Sequence, residues 1–546
     1  MGVFDLKISG AVLVAAVLVL AACSKVETGA QRQQQAGSIP GVVRIVGAGT
    51  IDSLVPELSS SAASSDAAMF WGGWLFLVND KGNLEPDLAT VVPTKDNGGI
   101  SADGLTITYH LRKGVLWHDG APFDARDVIF SWHVVMNPAN NVVSRTGFDQ
   151  IADMTAPDPY TVKVRLKRPY APAAAMFFAP SLTPYCVLPE HLLKGLPNIN
   201  HAAYNLKPVG TGPFIAVKWE QSVGLTLIAN PHYWRGPPKL KRVEYLVVPN
   251  SNTRVIMMRT GEADLYSDPQ VNQLPELATV PNTRMLHTLF NEFYYITFNT
   301  THPPLDDVHV RRALAGAIDK QYIIRTILHG AGQPAVGPQP PYLYTYDPNV
   351  AVPRYDPASA STALTAAGWT PGQDGIRVKN GKRLSVVYAY DAEASDGERI
   401  GAILQNELRR VGVDLALKPI AHAVIYAAKA AGGVLSNGKF DVAFEGWIGG
   451  VDPDDDALWG CDQRGEYNHS FICDPRIEEQ ERIALTHYDN ATRKAAYTRI
   501  QELLAEDMPV VFLWWQDRND VISTSLKAYK PAPAVTTFWN SWQWTN

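Results

Sequence analysis

From about residue 290 to residue 514 the chain alternates strand-type and helix-type apolar patterns, and this restricts the fold more than any other feature. Leu384-Ser-Val-Val-Tyr-Ala-Tyr390 reads as a strand. Ile400, Ile403, Leu404, Leu408 and Val411 then recur at helical spacing. Val413, Leu415 and Leu417 alternate as the next strand, and Phe440-Asp-Val-Ala-Phe444 is another. Ile500, Leu503 and Leu504 belong to a late helix, followed by the strand Val510-Val-Phe-Leu-Trp-Trp515. Earlier in the stretch, Asp307 is placed to cap one helix whose apolar face runs through Val310, Leu314, Ala317, Ile318, Ile324, Ile327 and Leu328 to a stop at Gly330. Asp356-Pro357 starts another helix and Gly368 closes it. Strands interleaved with helices in this way predict an α/β sheet covered on both faces.

The chain before it has a different texture. Val42-Val-Arg-Ile-Val46 reads as a first strand. In residues 81–199, Leu105, Ile107, Tyr109 and Leu111 alternate with polar residues, as do Tyr160, Val162, Val164 and Leu166. Trp117-His-Asp-Gly120 is a turn between them, and Asp124 caps a helix over residues 125–136. This region is predicted to be strand-rich with short helices.

The N-terminus speaks of export. Lys7 precedes an apolar run, residues 8–20, too short to span a bilayer but right for a secretory signal over residues 1–22. It ends in Leu20-Ala21-Ala22-Cys23, which resembles the bacterial lipobox, so Cys23 is the expected site of lipid attachment. Residues 23–40, polar and Gln-rich, read as a flexible tether. The expected location is the extracytoplasmic side of a membrane, either periplasmic or at the cell surface. In that oxidising setting Cys461 and Cys473 are expected to form a disulfide; a metal site there would need more ligands than these two and His469. Cys186, in an apolar segment, is expected to be a buried free thiol.

A net charge of −6 argues against nucleic-acid binding, which needs a basic stripe. The sequence contains no G-x-S-x-G, H-E-x-x-H, Walker or G-x-G-x-x-G signature, and it calls for no cofactor and no metal. Asp452-Pro-Asp-Asp-Asp456 lacks the Gly and Glu that an EF-hand loop requires at its sixth and twelfth positions; Ala457 and Gln463 stand there.

Several segments are familiar in their order. The stretch from Asp103-Gly-Leu-Thr-Ile-Thr-Tyr109 through Trp117-His-Asp-Gly120 to Phe130 resembles the signature of family 5 solute-binding proteins. These are the oligopeptide, dipeptide and nickel receptors of ABC importers. Val209-Gly-Thr-Gly-Pro-Phe214, Asn230-Pro-His-Tyr-Trp234, Phe298-Asn-Thr300, the run from Pro304 to Asp319, Tyr355-Asp-Pro357, Ala367-Gly-Trp369 and Phe440–Trp447 extend the resemblance from about residue 42 to the end. It implies a periplasmic-binding-protein-like fold (type II, cluster C): two α/β lobes around a hinge and an inserted strand-rich domain. The first lobe is then discontinuous, over residues 41–80, 200–290 and 515–546. The insertion covers 81–199 and the second lobe 291–514. The resemblance also implies a monomeric receptor, not an enzyme, that captures a peptide or similar small polar solute between closing lobes and delivers it to an ABC permease and ATPase. A sugar, a cationic amine or a nickel chelate is the alternative solute.

Ligands of open α/β sheets sit beyond strand C-terminal ends. Two such ends carry the candidate site. One is Tyr390-Asp391-Ala-Glu393; the other is Glu445-Gly-Trp447-Ile-Gly449-Gly450-Val-Asp452. The glycines offer main-chain groups to a peptide and Trp447 a flat apolar wall. Trp71 and Trp74 are expected to face it from the first lobe, with Tyr294 nearby. Dipeptide receptors place an Asp after the Gly-Trp pair and an Arg after the preceding strand; this chain has Gly449-Gly450 and Asp391 instead. Asp391, Glu393, Glu445 and Asp452 are therefore expected to form an acidic mouth suited to a cationic peptide, an amine or a polyol. Two other readings use the same residues: a secreted hydrolase with Glu445 and Asp452 as paired carboxylates, and a lipoprotein that signals or scavenges without a permease.

Overall fold

The structure is a computed structural model that describes residues 37–47 and 49–546. The signal, Cys23 and the tether up to residue 36 lie outside the described residues.

One large sheet runs through the molecule. Its strands are β1 (Val42–Gly47), β2 (Phe214–Glu220), β3 (Gly224–Ala229), β4 (Arg242–Leu246), β5 (Leu265–Ser267), β6 (Thr283–Phe298), β7 (Ser385–Asp391), β8 (Asp414–Ile420), β9 (Val442–Ile448) and β10 (Val510–Ser523). Their spatial order is β8-β7-β9-β6-β10-β5-β1-β4-β3-β2, with the short strand Gly332–Pro334 added beside β10. β1 lies parallel to β4 and β5, and β7 parallel to β8 and β9. β6 and β10 run antiparallel to each other and to their outer neighbours. β1 is buried along its whole length; its one charged residue, Arg44, is paired with Asp264 (2.9 Å), and the rest is apolar or Gly.

Two long strands join the halves. β6 has 16 residues and β10 has 14. They pair from Thr283/Ser523 to Leu289/Asp517, lose register, and pair again from Phe293/Trp515 to Thr297/Val510. The first half of this ladder borders β5 and the second half borders β9. Each lobe therefore owns half of the same two strands, and the irregularity at residues 290–292 lies between them.

Separate cores stabilise the parts. The first lobe gathers Ile45, Phe70, Trp71, Phe214, Val243, Leu265, Ile522, Phe538 and Trp544. The second lobe has one core on each sheet face. Ile296, Phe298, Leu314, Val386, Tyr388 and Leu404 form the first; Phe293, Tyr295, Tyr497, Ile500, Phe512 and Trp515 form the other. The alternation of residues 293–298 between the two is the period-2 signature of a strand covered on both sides. The strand-rich part has its own sheet of Thr106–His110, Thr161–Leu166 and Ile151–Asp158. Its core includes Ile107, Tyr109, Trp117, Phe148 and Val164.

Local chemistry explains several motifs. Trp117 donates its indole N–H to Asp127 (3.2 Å), and the His118 ring meets the Gly212 carbonyl (3.0 Å), so this turn is scaffold. At Gly210 a Cβ would stand 1.7 Å from the Trp71 carbonyl oxygen, an approach only glycine permits. The single helix expected from Asp307 to Gly330 is two helices, α1 (Val308–Gly316) and α2 (Lys320–Ile327). The break arises because Asp319 caps the second, accepting from the Tyr322 N–H (2.9 Å).

Where the ladder changes lobes, Arg518 of β10 stands opposite Thr288 of β6 and is buried. It donates to Asp66 (2.9 Å) and to the Ser267 hydroxyl (2.9 Å). Asp520, two residues on, accepts from Ser267 (3.0 Å), the Asp268 N–H (3.1 Å) and Tyr529 (2.6 Å). Removing one partner of such a buried pair leaves an uncompensated charge. Arg518→Ala is expected to lower the unfolding free energy by about 3–5 kcal/mol in urea titrations.

Burial also sets a pH dependence. Glu57 is fully buried beside the buried thiol Cys186, and desolvation pushes it up to about 8 from an ordinary value of 4.5. Between those values the folded chain holds a proton that the unfolded chain has released, so stability falls as pH rises, by up to about 1.4 kcal/mol per pH unit for one group. Asp454, pushed up to about 7 by burial and by Asp452, adds to the same trend. The expected outcome is a stability that declines from pH 5 to pH 8 and a Glu57→Gln variant with a visibly shallower decline.

Candidate ligand cleft

The two strand ends singled out by sequence do come together, on the second lobe beside the hinge. β7 and β9 are parallel neighbours, with Tyr388 opposite Val442, so Asp391 and Glu445 leave the sheet on the same side. The carboxylates there are not free. The Asp391 carboxylate meets His422 Nδ1 at 2.6 Å and accepts the Glu393 N–H at 2.9 Å. Glu393 in turn accepts from the His422 N–H (3.2 Å). Glu445 accepts from the Thr297 hydroxyl (2.5 Å) and pairs with His469 Nδ1 (2.5 Å). Asp452 receives both terminal nitrogens of Arg493, at 2.5 and 2.8 Å. Proximity to the carboxylates holds both imidazoles above their usual pKa: Asp391 does so for His422, and Glu445 prevails over burial for His469.

Three of the four acids of the expected acidic mouth are thus engaged by side chains from distant parts of the chain, His422, His469 and Arg493. Glu445 and Asp452, the two acids of the hydrolase reading, each bond an internal partner, His469 and Arg493. Trp71 and Trp74 also depart from expectation. Both are buried in the first-lobe core, where Trp71 meets Tyr204 edge-on at 6.5 Å, and neither faces Trp447. Gly449 and Gly450 have committed much of their main chain: the Gly449 N–H donates to the Asn291 carbonyl (2.7 Å), and the Asn291 amide donates to the Gly450 carbonyl.

What remains accessible is largely aromatic. Trp447 is half-buried, and Ile448, Tyr426 and Tyr467 are exposed. Gly446 passes directly over Tyr294, where a Cβ would meet the ring at 2.7 Å. Tyr294 forms a three-ring cluster with Trp514 (4.9 Å) and Phe444 (5.5 Å), which are 5.8 Å from each other, and donates to Glu292 (2.7 Å). Two acids absent from the sequence expectations lie beside the hinge, one from each lobe. Glu292, in the register break of β6, is pushed up to about 7 chiefly by burial, with Asp268 adding to the shift. Asp268 follows β5 of the first lobe in a left-handed conformation (φ 51°). No hydrophobic period marks either residue; only the register break would have pointed to them.

Around this region the second lobe touches the strand-rich insertion at Ser181, Tyr170 and Gly104 and the first lobe at Pro533. The Val451 N–H meets the Ser181 hydroxyl (3.3 Å), Tyr170 reaches Asp454 (3.4 Å), Tyr488 donates to the Gly104 carbonyl (2.8 Å), and Tyr342 donates to the Pro533 carbonyl (2.9 Å). A cavity of about 430 Å³ opens beside the hinge strands, lined by Leu286–Leu289, Tyr342, Tyr529 and Lys530. Among the described residues no group of three or more His, Cys, Asp or Glu side chains is arranged to hold a metal ion. Cys461 and Cys473 are bonded to each other, and Cys186 is buried and free. No described helix is long and apolar enough to cross a membrane.

Comparison with known proteins agrees with this architecture. Protein XP55 of Streptomyces lividans is 30% identical over 449 residues, covering 81% of this chain and 78% of its own. The oligopeptide-binding protein AppA of Bacillus subtilis is 26% identical over 537 residues, covering 96% and 95%. The crystal structure of NikZ from Campylobacter jejuni, in complex with Ni(L-His), superposes with a TM-score of 0.75 at 26% identity, over 93% of this chain and all of that one. Residues 83–468 match the model of the bacterial extracellular solute-binding proteins, family 5. The chain belongs to that family.

Proposed function

We propose that this chain is the extracytoplasmic receptor of an ABC importer and captures a peptide or a similar small polar solute between its two lobes. The observation that carries the reading is the division of β6 and β10 between the lobes, with an aromatic, glycine-lined wall beside the point of division. A ligand contacting both lobes favours the closed form by its differential affinity for that form. Trp447, Tyr294 and the main chain around Gly446 are the groups assigned to it. AppA is named for oligopeptides and NikZ holds a nickel–histidine complex, so a metal chelate is the second solute class. A lone dipeptide fits less well, because neither Asp391 nor Gly450 supplies the charge that dipeptide receptors use at those places.

The delivery partners are an ABC permease and its ATPase, and the receptor acts as a monomer tethered through lipid on Cys23. The support for the anchor is the sequence Leu20-Ala21-Ala22-Cys23 after a short apolar run. More than one acyl chain at one residue gives stable membrane attachment where a single chain does not.

Two measurements test these statements. Thermal unfolding and calorimetry with a nonapeptide, tripeptides, glutathione and Ni(L-His) are expected to find one class that stabilises the purified protein, by about 2.7 kcal/mol at a concentration 100 times Kd. Absence of stabilisation across the whole set contradicts the receptor reading. In bacterial cells fed an alkyne fatty acid, the full chain is expected to take up label and Cys23→Ala to take up none; equal labelling of both contradicts the anchor.

A further inference from the structure

The disulfide Cys461–Cys473 closes a segment whose middle residues reach the cleft wall. Asn468 ties the neck of this loop, donating to the Gly460 carbonyl (3.0 Å) and the Ile472 carbonyl (2.9 Å). Thr300, just past β6, fastens it to the sheet: its N–H and hydroxyl both donate to the Ser470 carbonyl, at 3.0 and 2.8 Å. With the main chain held, Tyr467 and His469 turn toward β9. His469 pairs with Glu445, and the Tyr467 ring meets the Trp447 ring edge to face at 5.4 Å. Glu445 and Trp447 are two residues apart on one strand and so lie on one face. The loop therefore grips alternate residues of the same face.

The grip leaves the rings open. Tyr467 is 57% exposed and Tyr426, at the Glu445 end of the row, is 46% exposed. Neither the Trp447 indole N–H nor the Tyr467 hydroxyl has a hydrogen-bond partner among the described residues. Two flat apolar faces, each with a free polar tip, form a site for a group that is apolar in body and hydrogen-bonding at its base.

We propose that the disulfide-closed loop and Trp447 together form an aromatic subsite that takes one apolar or aromatic side chain of a peptide ligand, with Tyr467 as its outer wall and His469 as a positioning residue. The subsite rests on the receptor reading above. The Trp447 indole N–H donates to a main-chain carbonyl of the ligand while the ligand side chain lies against the Trp447 and Tyr467 rings. The Cys461–Cys473 link and the His469–Glu445 pair keep the two rings at their spacing.

The test captures peptides from an equimolar library of three to nine residues and measures Kd for the best binder. The unsubstituted protein, Tyr467→Phe, Tyr467→Ala, His469→Gln and the Cys461→Ser/Cys473→Ser double variant are compared. Tyr467→Ala is expected to weaken binding about tenfold and to erase the preference for Phe, Tyr or Leu at one position. Tyr467→Phe is expected to keep both affinity and preference, since the ring contact is retained. The double serine variant is expected to lose the preference, with hydrogen exchange rising in residues 445–448. His469→Gln is expected to weaken binding less than Tyr467→Ala. Because Tyr467 is exposed, its two variants are expected to unfold at the same temperature, separating lost recognition from lost stability. Unchanged affinity and preference in Tyr467→Ala overturns the subsite and leaves the receptor reading intact. Failure of the unsubstituted protein to retain any peptide overturns both.

Discussion

The ladder between β6 and β10 is the element on which the rest depends. Its first half belongs to one lobe and its second half to the other, so no other part of the main sheet can move without it. A sheet crossing is stiff along its hydrogen bonds and yields where register is lost, here at residues 290–292. Arg518 sits at that crossing and collects Asp66 from a first-lobe helix and Ser267 from β5. Its charge is enclosed with its partners, and the network holds the first-lobe half of the ladder firmly. The register break that carries Glu292 and precedes Tyr294 lies just beyond it.

The second theme is the treatment of charge at the cleft wall. Asp391 and Glu445 each meet an imidazole, His422 and His469, and Asp452 receives the guanidinium of Arg493. Taken out of water without these partners, such carboxylates would cost several kcal/mol each. Beside these pairs the accessible groups are the Trp447, Tyr426 and Tyr467 rings and the main chain around Gly446. Asp268 and Glu292 also stand beside the hinge, one from each lobe, Glu292 accepting from Tyr294 and Asp268 lying near Arg518.

Much of the fold was legible in the sequence because burial on both faces leaves a plain mark. β1, β7, β9 and β10 were visible as apolar runs, and the stripe from Ile400 to Val411 marked the helix that spans Ser395–Arg410. The helix break at Ala317–Asp319 was missed because the apolar spacing continues through it; only the cap at Asp319 marks it. The two strand ends named from sequence lie side by side, but the partners of their acids were not foreseen. Asp391, Glu445 and Asp452 looked free because their partners lie 31, 24 and 41 residues away in sequence. Trp71 and Trp74 looked like cleft residues, yet they are the centre of a core that also draws on the last residues of the chain, including Trp544. Long-range partners of this kind have no local signature.

The claim that two lobes close on a ligand is tested most directly by a distance between them. Spin labels at Ile256→Cys on the first lobe and Val424→Cys on the second, both exposed positions, report that distance, and the buried Cys186 does not compete for label. Without ligand the account predicts a broad distribution that includes longer separations. Saturation with the peptide that stabilises the protein should collapse it to a single shorter distance. One unchanged, narrow distribution in both conditions would mean that the lobes form a rigid body, and the account would be wrong.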